Sequence, residues 1–149
     1  MPWQVRDPAF AERVRTSFDR QAFMATLGAR LGRVAPGEVD IELPVRDALT
    51  QQHGFVHAGA LASVLDSAAG YAAFTLFPAN AAVLSIEFKI NMLEPARGSS
   101  IVARGRVVRA GRTISVCRAD ALALNEGGET LVATLTGTMM CVEGRGFEG

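Results

Sequence analysis

The sequence predicts an α+β domain in which a curved antiparallel sheet wraps around one long buried central helix. Three observations predict it. Residues 58–77, AGALASVLDSAAGYAAFTLF, are rich in alanine, lack β-branched runs and are apolar nearly all round, the pattern of a helix buried on every side. Four alternating runs follow Pro78, at about 81–92, 99–110, 112–125 and 129–142. Along the third run Ser115, Cys117, Ala119, Ala121 and Ala123 share one face, and all are small enough to let a sheet lie close on a helix.

The elements can be justified in order. Asp7-Pro8 is a helix start, with a capping carboxylate before a proline at the first helical position. Phe10, Val14 and Phe18 recur at i+4 and give one apolar stripe. A second short turn runs from Gln21 to Leu27 and ends at Gly28, completing an N-terminal helical segment over 1–28. The period then changes to two: Leu31 and Val34 precede a Pro36-Gly37 turn, and Val39, Ile41 and Leu43 alternate with Glu38, Asp40 and Glu42. That is a hairpin with one solvated face. Residues 45–57, VRDALTQQHGFVH, have no period and read as a loop. Turn signals at Glu94-Pro95, Gly98, Ala110-Gly111 and Gly127-Gly128 separate the later strands. No linker or repeat divides the chain, so one domain is expected over 1–149.

Composition narrows the function. Lys and Arg balance Asp and Glu at 15 each, so the net basic balance usual in nucleic-acid binders is absent and no nucleic-acid partner is expected. Cys117 and Cys141 form no CxxC pair and no cluster with the two histidines, so they read as buried thiols. With no disulfide framework and no basic start followed by an apolar run, a cytoplasmic location is expected. Ser63, Asp66, Ser67 and Tyr71 interrupt the longest apolar stretch, which favours a core helix over a membrane span. No motif supports a metal or a cofactor.

The order of a helical N-terminus, a hairpin, a loop bearing G-x-x-H-x-G, a buried helix with an acid and four strands resembles the hotdog fold. The segment Gln51-Gln52-His53-Gly54-Phe55-Val56-His57-Ala58-Gly59, followed by Asp66, is similar to the phenylacetate-degradation (PaaI-like) thioesterases. Their pattern is asparagine, then G-x-x-H-G-G, then an acid one to two turns into the helix. Leu84-Ser85-Ile86, the turn Asn91 to Ala96, and Gly105 to Thr113 extend the resemblance over about residues 25–141. Two departures stand out: Ala58 replaces the middle glycine of H-G-G, and Gln51 stands where asparagine is usual. Alanine keeps the backbone N–H and becomes a problem only where a positive φ is required.

The resemblance implies hydrolysis of a small aryl- or medium-chain acyl-CoA, with CoA as part of the substrate. Thioester hydrolysis needs a group to polarise the carbonyl and a group to attack or to activate water. Unpaired N–H groups of Ala58 and Gly59, at the positive end of the helix, suit the first role. Asp66 suits the second. It lies eight residues into the helix, about 12 Å along the axis at ~1.5 Å per residue, too far to serve a carbonyl at its own helix start. Antiparallel packing of two such helices would bring Asp66 of one protomer to Ala58 of the other. The site is therefore expected to be shared in a homodimer, or in a homotetramer of two such dimers. Gln51 is expected to position the thioester or the water, and Ser85 to support the nucleophilic side. His57 reads either as a loop-closing hydrogen-bond group or as a substrate contact. Gly54, Asn91, Arg109, Gly111 and Arg112 complete the expected substrate contacts, the arginines on the phosphates of CoA. Phe55, Tyr71, Phe74 and Phe77 either line an acyl pocket or belong to the core. Two rival functions remain: a hotdog hydratase or dehydratase using a His57–Asp66 pair, and a non-catalytic acyl-CoA-binding module.

Overall fold

The computed structural model describes residues 2–146; Met1 and residues 147–149, the two ends of the expected span, lie outside the described residues. The elements in chain order are α1 (Phe10–Arg20), α2 (Ala22–Leu27), β1 (Arg30–Ala35), β2 (Glu38–Pro44), a single 3-10 turn (Asp47–Leu49), α3 (Ala58–Phe74), β3 (Ala81–Met92), β4 (Ser100–Ala110), β5 (Ile114–Asn125) and β6 (Gly128–Glu143). The six strands form one sheet in the order β1-β2-β4-β5-β6-β3. Every neighbouring pair is antiparallel. β3 leaves α3, crosses to the far side and pairs only with β6, so it is an edge strand.

The sheet bends round α3, and period-two patterning dictates which residues face it. Val39, Ile41 and Leu43 of β2 are fully buried, as are Cys117, Ala119 and Ala121 of β5. The expected small face of β5 is thus the one laid on the helix. At Gly105 of β4 the approach is closest: an added Cβ would sit 2.2 Å from the carbonyl oxygen of Ala68 and 2.8 Å from the amide nitrogen of Ala69. Backbone meets backbone there, and neither side can give. Gly105→Ala is therefore expected to cost about 3 kcal/mol, lowering Tm by roughly 10 °C in a calorimetric scan. A Tm within ~2 °C of wild type would show that the sheet can lift off α3 without penalty.

Two boundaries differ from the sequence expectation. α1 starts at Phe10, and the expected Asp7 cap is made by the turn that leads into it: the Asp7 carboxylate accepts the Ala9 N–H at 3.0 Å, the Phe10 N–H reaches the Asp7 carbonyl at 3.1 Å, and the carboxylate pairs with Arg13 at 3.3 Å. α3 ends at Phe74 rather than Phe77. Thr75 turns its hydroxyl back onto the Ala72 carbonyl and accepts the Gly37 N–H, tying the helix end to the β1–β2 turn. Arg13 then reaches across from α1. Its guanidinium donates to the carbonyls of Phe74, Phe77 and Pro78 at 2.6–3.0 Å and lies 4.4 Å from the centre of the Phe74 ring. A cation on the last carbonyls of a helix is favourable on both hydrogen-bond and dipole grounds. The expected α2 end holds, with Gly28 at φ 75° closing the helix. The 45–57 loop contains the 3-10 turn and one isolated bridge, Thr50 to Val56.

Candidate active site

Asp66 lies in the third turn of α3 and is half-buried. Its Oδ1 accepts the Ser85 hydroxyl at 2.7 Å, a bond between α3 and the start of β3. Burial raises the pKa of the carboxyl, and the Ser85 hydrogen bond pulls it partway back. Among the described residues no cation pairs with Asp66. A half-buried carboxylate, held by one hydroxyl and open to a cleft, is suited to proton transfer or attack rather than to an ion pair. The cleft has a volume of about 450 Å³ and is lined by Ser17, Gln21, Asp66, Gly70, Tyr71 and Ser85 among others.

The loop before α3 builds a second cleft of about 440 Å³, lined by Gln51, Phe55, His57, Ala58, Met92 and Glu94 among others. Its geometry follows from local hydrogen bonds. Gln51 Oε1 accepts the N–H groups of His53 (2.6 Å) and Phe55 (3.4 Å). With its oxygen fixed on the backbone, the side-chain NH₂ of Gln51 is left as a donor. Gly54 sits at φ 83° and closes this turn, its N–H on the Gln51 carbonyl at 2.9 Å. Gly54 thereby shapes the loop.

His57 is the N-cap of α3, with Nδ1 accepting the Gly59 N–H at 2.8 Å. Of the two readings of His57, the hydrogen-bonding one is what the structure displays, and the ring also lines the second cleft. The Gly59 N–H is engaged by His57 Nδ1, which leaves the Ala58 N–H as the donor of interest. The Ala58 N–H has no acceptor among the described residues, and Ala58 lines the second cleft. Among the described residues none other than glycine has a positive φ, so alanine at position 58 keeps an ordinary helical backbone. The departure from H-G-G leaves the local geometry intact. A His57–Asp66 dyad does not form either: Nδ1 is occupied, and Asp66 hydrogen-bonds Ser85 instead.

The structure therefore brings the expected residues together in two groups, not one. Asp66 and Ser85 share the first cleft; Gln51, His57 and Ala58 share the second. Asn91 lies on β3, exposed, beside Met92 at the second cleft. The β4–β5 hairpin belongs to the Asp66 end. Register across the sheet runs Ala110–Ser115–Met139–Ser85, so the tip with Arg109, Gly111 and Arg112 stands at the end of the row that Ser85 begins. Three strand spacings of ~4.8 Å separate Ser85 from Ala110. Gly111 is fixed by the tight turn, where a Cβ would lie 2.3 Å from the Ile114 carbonyl oxygen.

Of the four aromatic candidates, Phe74 and Phe77 are core residues, 0% and 3% exposed. Tyr71 lines the Asp66 cleft and Phe55 the other, where Arg97 lies 4.5 Å from its ring centre. Sequence reasoning missed Ser17, Gln21 and Gly70 as lining residues. The available signal was Gly70 itself, a glycine in the interior of an alanine-rich helix. Among the described residues no group of His, Cys, Asp and Glu could hold a metal ion, and no helix is long and apolar enough to cross a membrane.

Comparison with known proteins agrees with this arrangement. The thioesterase superfamily pattern matches residues 53–130, from the loop before α3 through β6's start. A thioesterase family protein from Silicibacter pomeroyi is 52% identical and superimposes with a TM-score of 0.89, over 91% of this chain and 99% of that one. A Halobacterium salinarum protein, named only provisionally as an esterase, is 31% identical over 108 residues, 69% of this chain and 71% of its own length. The PaaI protein from the E. coli phenylacetic acid degradation operon shares the fold at a TM-score of 0.80, with 20% identity over 91% of this chain and 94% of that one. With the family pattern covering just over half of its length and a curved six-stranded sheet closed round one helix, this chain belongs to the thioesterase superfamily, as a hotdog-fold thioester hydrolase.

Proposed function

We propose that this protein hydrolyses acyl-CoA thioesters at a site completed by a second copy of itself. The observation that carries this reading is the separation of the two halves of the chemistry. The carboxylate and the free N–H lie in different clefts, eight residues and ~12 Å apart along one helix. No single thioester carbonyl can use both from one protomer. Two α3 helices packed antiparallel would join Asp66 of one protomer to Ala58 of the other, twice over.

The free edge of β3 supports such packing. It is twelve residues long, and Leu84, Ile86, Phe88 and Met92 on it are between 43% and 52% exposed. A long apolar edge left open is a template for another strand. Antiparallel pairing with its own copy would set the Ser85 half of one strand against the Asn91 half of the other. The exposed start of α3, Ala58 and Gly59, is small enough to let the partner helix and a thioester come close.

In this site the Ala58 N–H polarises the carbonyl and the Gln51 NH₂ holds the thioester or the attacking water. Asp66 of the partner, oriented by Ser85, attacks the carbonyl carbon or takes a proton from water. If Asp66 attacks, the C–S bond breaks as a mixed anhydride with the carboxylate forms, and water then cleaves that anhydride to free acid and aspartate; if Asp66 takes a proton from water, the water oxygen adds to the acyl carbon directly as the C–S bond breaks. In both cases CoA leaves as thiolate and is protonated. Arg109 and Arg112 stand at the Asp66 end, where arginine suits the CoA phosphates. Metal or cofactor plays no part in this scheme. The engaged Nδ1 of His57 weighs against a hydratase that would use that histidine as base.

The test is a panel of aryl and aliphatic acyl-CoAs assayed with a thiol-reactive chromophore, with the assembly measured by light scattering. Stoichiometric release of free thiol by a dimer or larger assembly is expected. Tight binding without thiol release would replace this reading with a binding module. Consumption of an enoyl-CoA without thiol release would replace it with a hydratase.

A further inference from the structure

We propose that Met139 is a positioning residue for the reacting carboxylate: its thioether gives the Ser85 hydroxyl a second acceptor, to which the hydroxyl turns once Asp66 has lost its charge. The row Asp66–Ser85–Met139 thus holds the carboxyl in both of its states, charged and neutral. This rests on the thioesterase reading above and adds how the neutral carboxyl is kept during the reaction.

Ser85 Oγ lies 2.7 Å from Asp66 Oδ1 and 3.4 Å from Met139 Sδ. With Asp66 ionised, both neighbours are acceptors and compete for a single O–H. The carboxylate wins, because a charge-assisted bond is about twice as strong as a neutral one and a thioether is a weak acceptor. Met139 stands directly opposite Ser85 on β6 and is fully buried. Two glycines give its side chain room. A Cβ on Gly137 would meet the Met139 Cε at 3.2 Å, and one on Gly70, a turn beyond Asp66, would meet Sδ at 3.9 Å. Leu135 fills another inward position of the same strand with hydrocarbon alone. Leucine and methionine exchange readily in cores, so volume does not call for a sulfur at position 139.

Asp66 loses its charge in either course of the reaction. As a base it takes a proton from water and returns it to the CoA thiolate; as a nucleophile its oxygen belongs to the anhydride until water cleaves it. The bond from Ser85 then loses its charge assistance. With its proton turned to Met139 Sδ, the Ser85 oxygen presents a lone pair to Asp66 and accepts a carboxyl O–H formed at Oδ1. Ser85 is exposed in a single protomer, where water can take its proton. In the shared site a partner and an acyl chain displace that water, and the sulfur is the acceptor that stays. Without it the hydroxyl proton would be unpaired in a closed site. The thioether therefore favours only the neutral carboxyl. It acts in the same direction as burial, which raises the Asp66 pKa, and against the Ser85 bond to the charged form. The other charged or titratable groups lining this cleft are Arg20 from α1 and Tyr71 from α3; β3 supplies Ala82 to Ser85, which do not titrate. Arginine keeps its charge throughout, so Arg20 acts alike on every variant.

The experiment follows the Asp66 carboxyl by NMR across pH, its resonance assigned by its absence in Asp66→Asn. S-hexyl-CoA, a thioether that is not hydrolysed, fills the site. Met139→Leu conserves volume and removes the acceptor. In the complex it is expected to move the Asp66 titration down by at least about half a pH unit, because the neutral carboxyl has lost its support. The acid limb of kcat for hexanoyl-CoA should move with it, since kcat reports the bound state. Without S-hexyl-CoA, where water replaces the sulfur, the movement should be less than about half as large. In a Ser85→Ala background the same exchange should move nothing, because the sulfur acts only through that hydroxyl. An unchanged titration of the Met139→Leu complex overturns the proposal, and so does a movement of full size that persists in Ser85→Ala. Release of thiol from no acyl-CoA would instead bring down the thioesterase reading, a distinct result.

Discussion

Asp66→Asn is expected to lower kcat at least ~100-fold in a protein that is still folded, the loss typical of removing a general base or nucleophile while keeping its shape. Asparagine is isosteric and can accept the Ser85 hydroxyl as the carboxylate does at 2.7 Å, so structure should be preserved. Stability gives an independent readout. Because burial raises the pKa of Asp66, the folded chain holds this proton more tightly than the unfolded chain, whose aspartates titrate near ~3.9. Between those two values the native state loses stability as pH rises, and above both the buried charge remains a fixed cost. The variant should therefore melt at or above the wild-type temperature at pH 7, and the difference should vanish below about pH 4. The acid limb of kcat/KM for wild type should lie above the ordinary aspartate range for the same reason. An inactive variant that also melts well below wild type at pH 7 would mark Asp66 as a structural residue.

Ala58→Pro should be as damaging, by deleting a single hydrogen. Proline is favoured at the first position of a helix, where the N–H has no intrahelical partner. His57 before it already has φ −62° and ψ 139°, the extended backbone a following proline demands. The substitution removes the proposed polarising donor with little strain on α3, and a loss of about 10²–10³ in kcat is expected. Mixing then tests the shared site. If Asp66→Asn and Ala58→Pro chains are unfolded and refolded together in equal amounts, half of the dimers are mixed. Each mixed dimer joins an intact Asp66 to an intact Ala58 at one of its two sites. Two nearly inactive proteins should thus recover about a quarter of wild-type activity per chain, as expected for a symmetric dimer. Mixed samples that stay at the level of the parents would place both groups in one protomer's site.

The wrapped sheet was readable because pattern alone decides it: the change from period two to an all-apolar helix, and the small face Ser115 to Ala123 that now lies on α3. The ends of the helices were not readable, since their partners are distant in sequence. Arg13 stops α3 from 61–65 residues away, and the Gly37 N–H reaches Thr75 across 38. In the site, residue types were legible but their engagement was not. His57 and Gly59 were each plausible alone, and only the 2.8 Å bond between them shows that one occupies the other. The Asp66–Ser85 pair joins a helix to a strand 19 residues on, a contact that motif order suggests and only folding makes. Gln21 carried no signal at all, because nothing in a glutamine between two helices tells which way it points.

The Arg13 clasp has a consequence for how the molecule breathes. Terminal helices commonly fray, and amide exchange at chain ends is usually fast because local opening there costs little. Opening α1 would strip three carbonyls and an aromatic face of their cation at once, and would leave the guanidinium, whose Nε already lacks a partner, to find water. α1 is therefore tied to the core through Arg13, and its amides are expected to exchange as slowly as those of α3. Ser17 and Gln21 stand on and beside that helix, so the side of the cleft that they line next to Asp66 is held in place from 61–65 residues away.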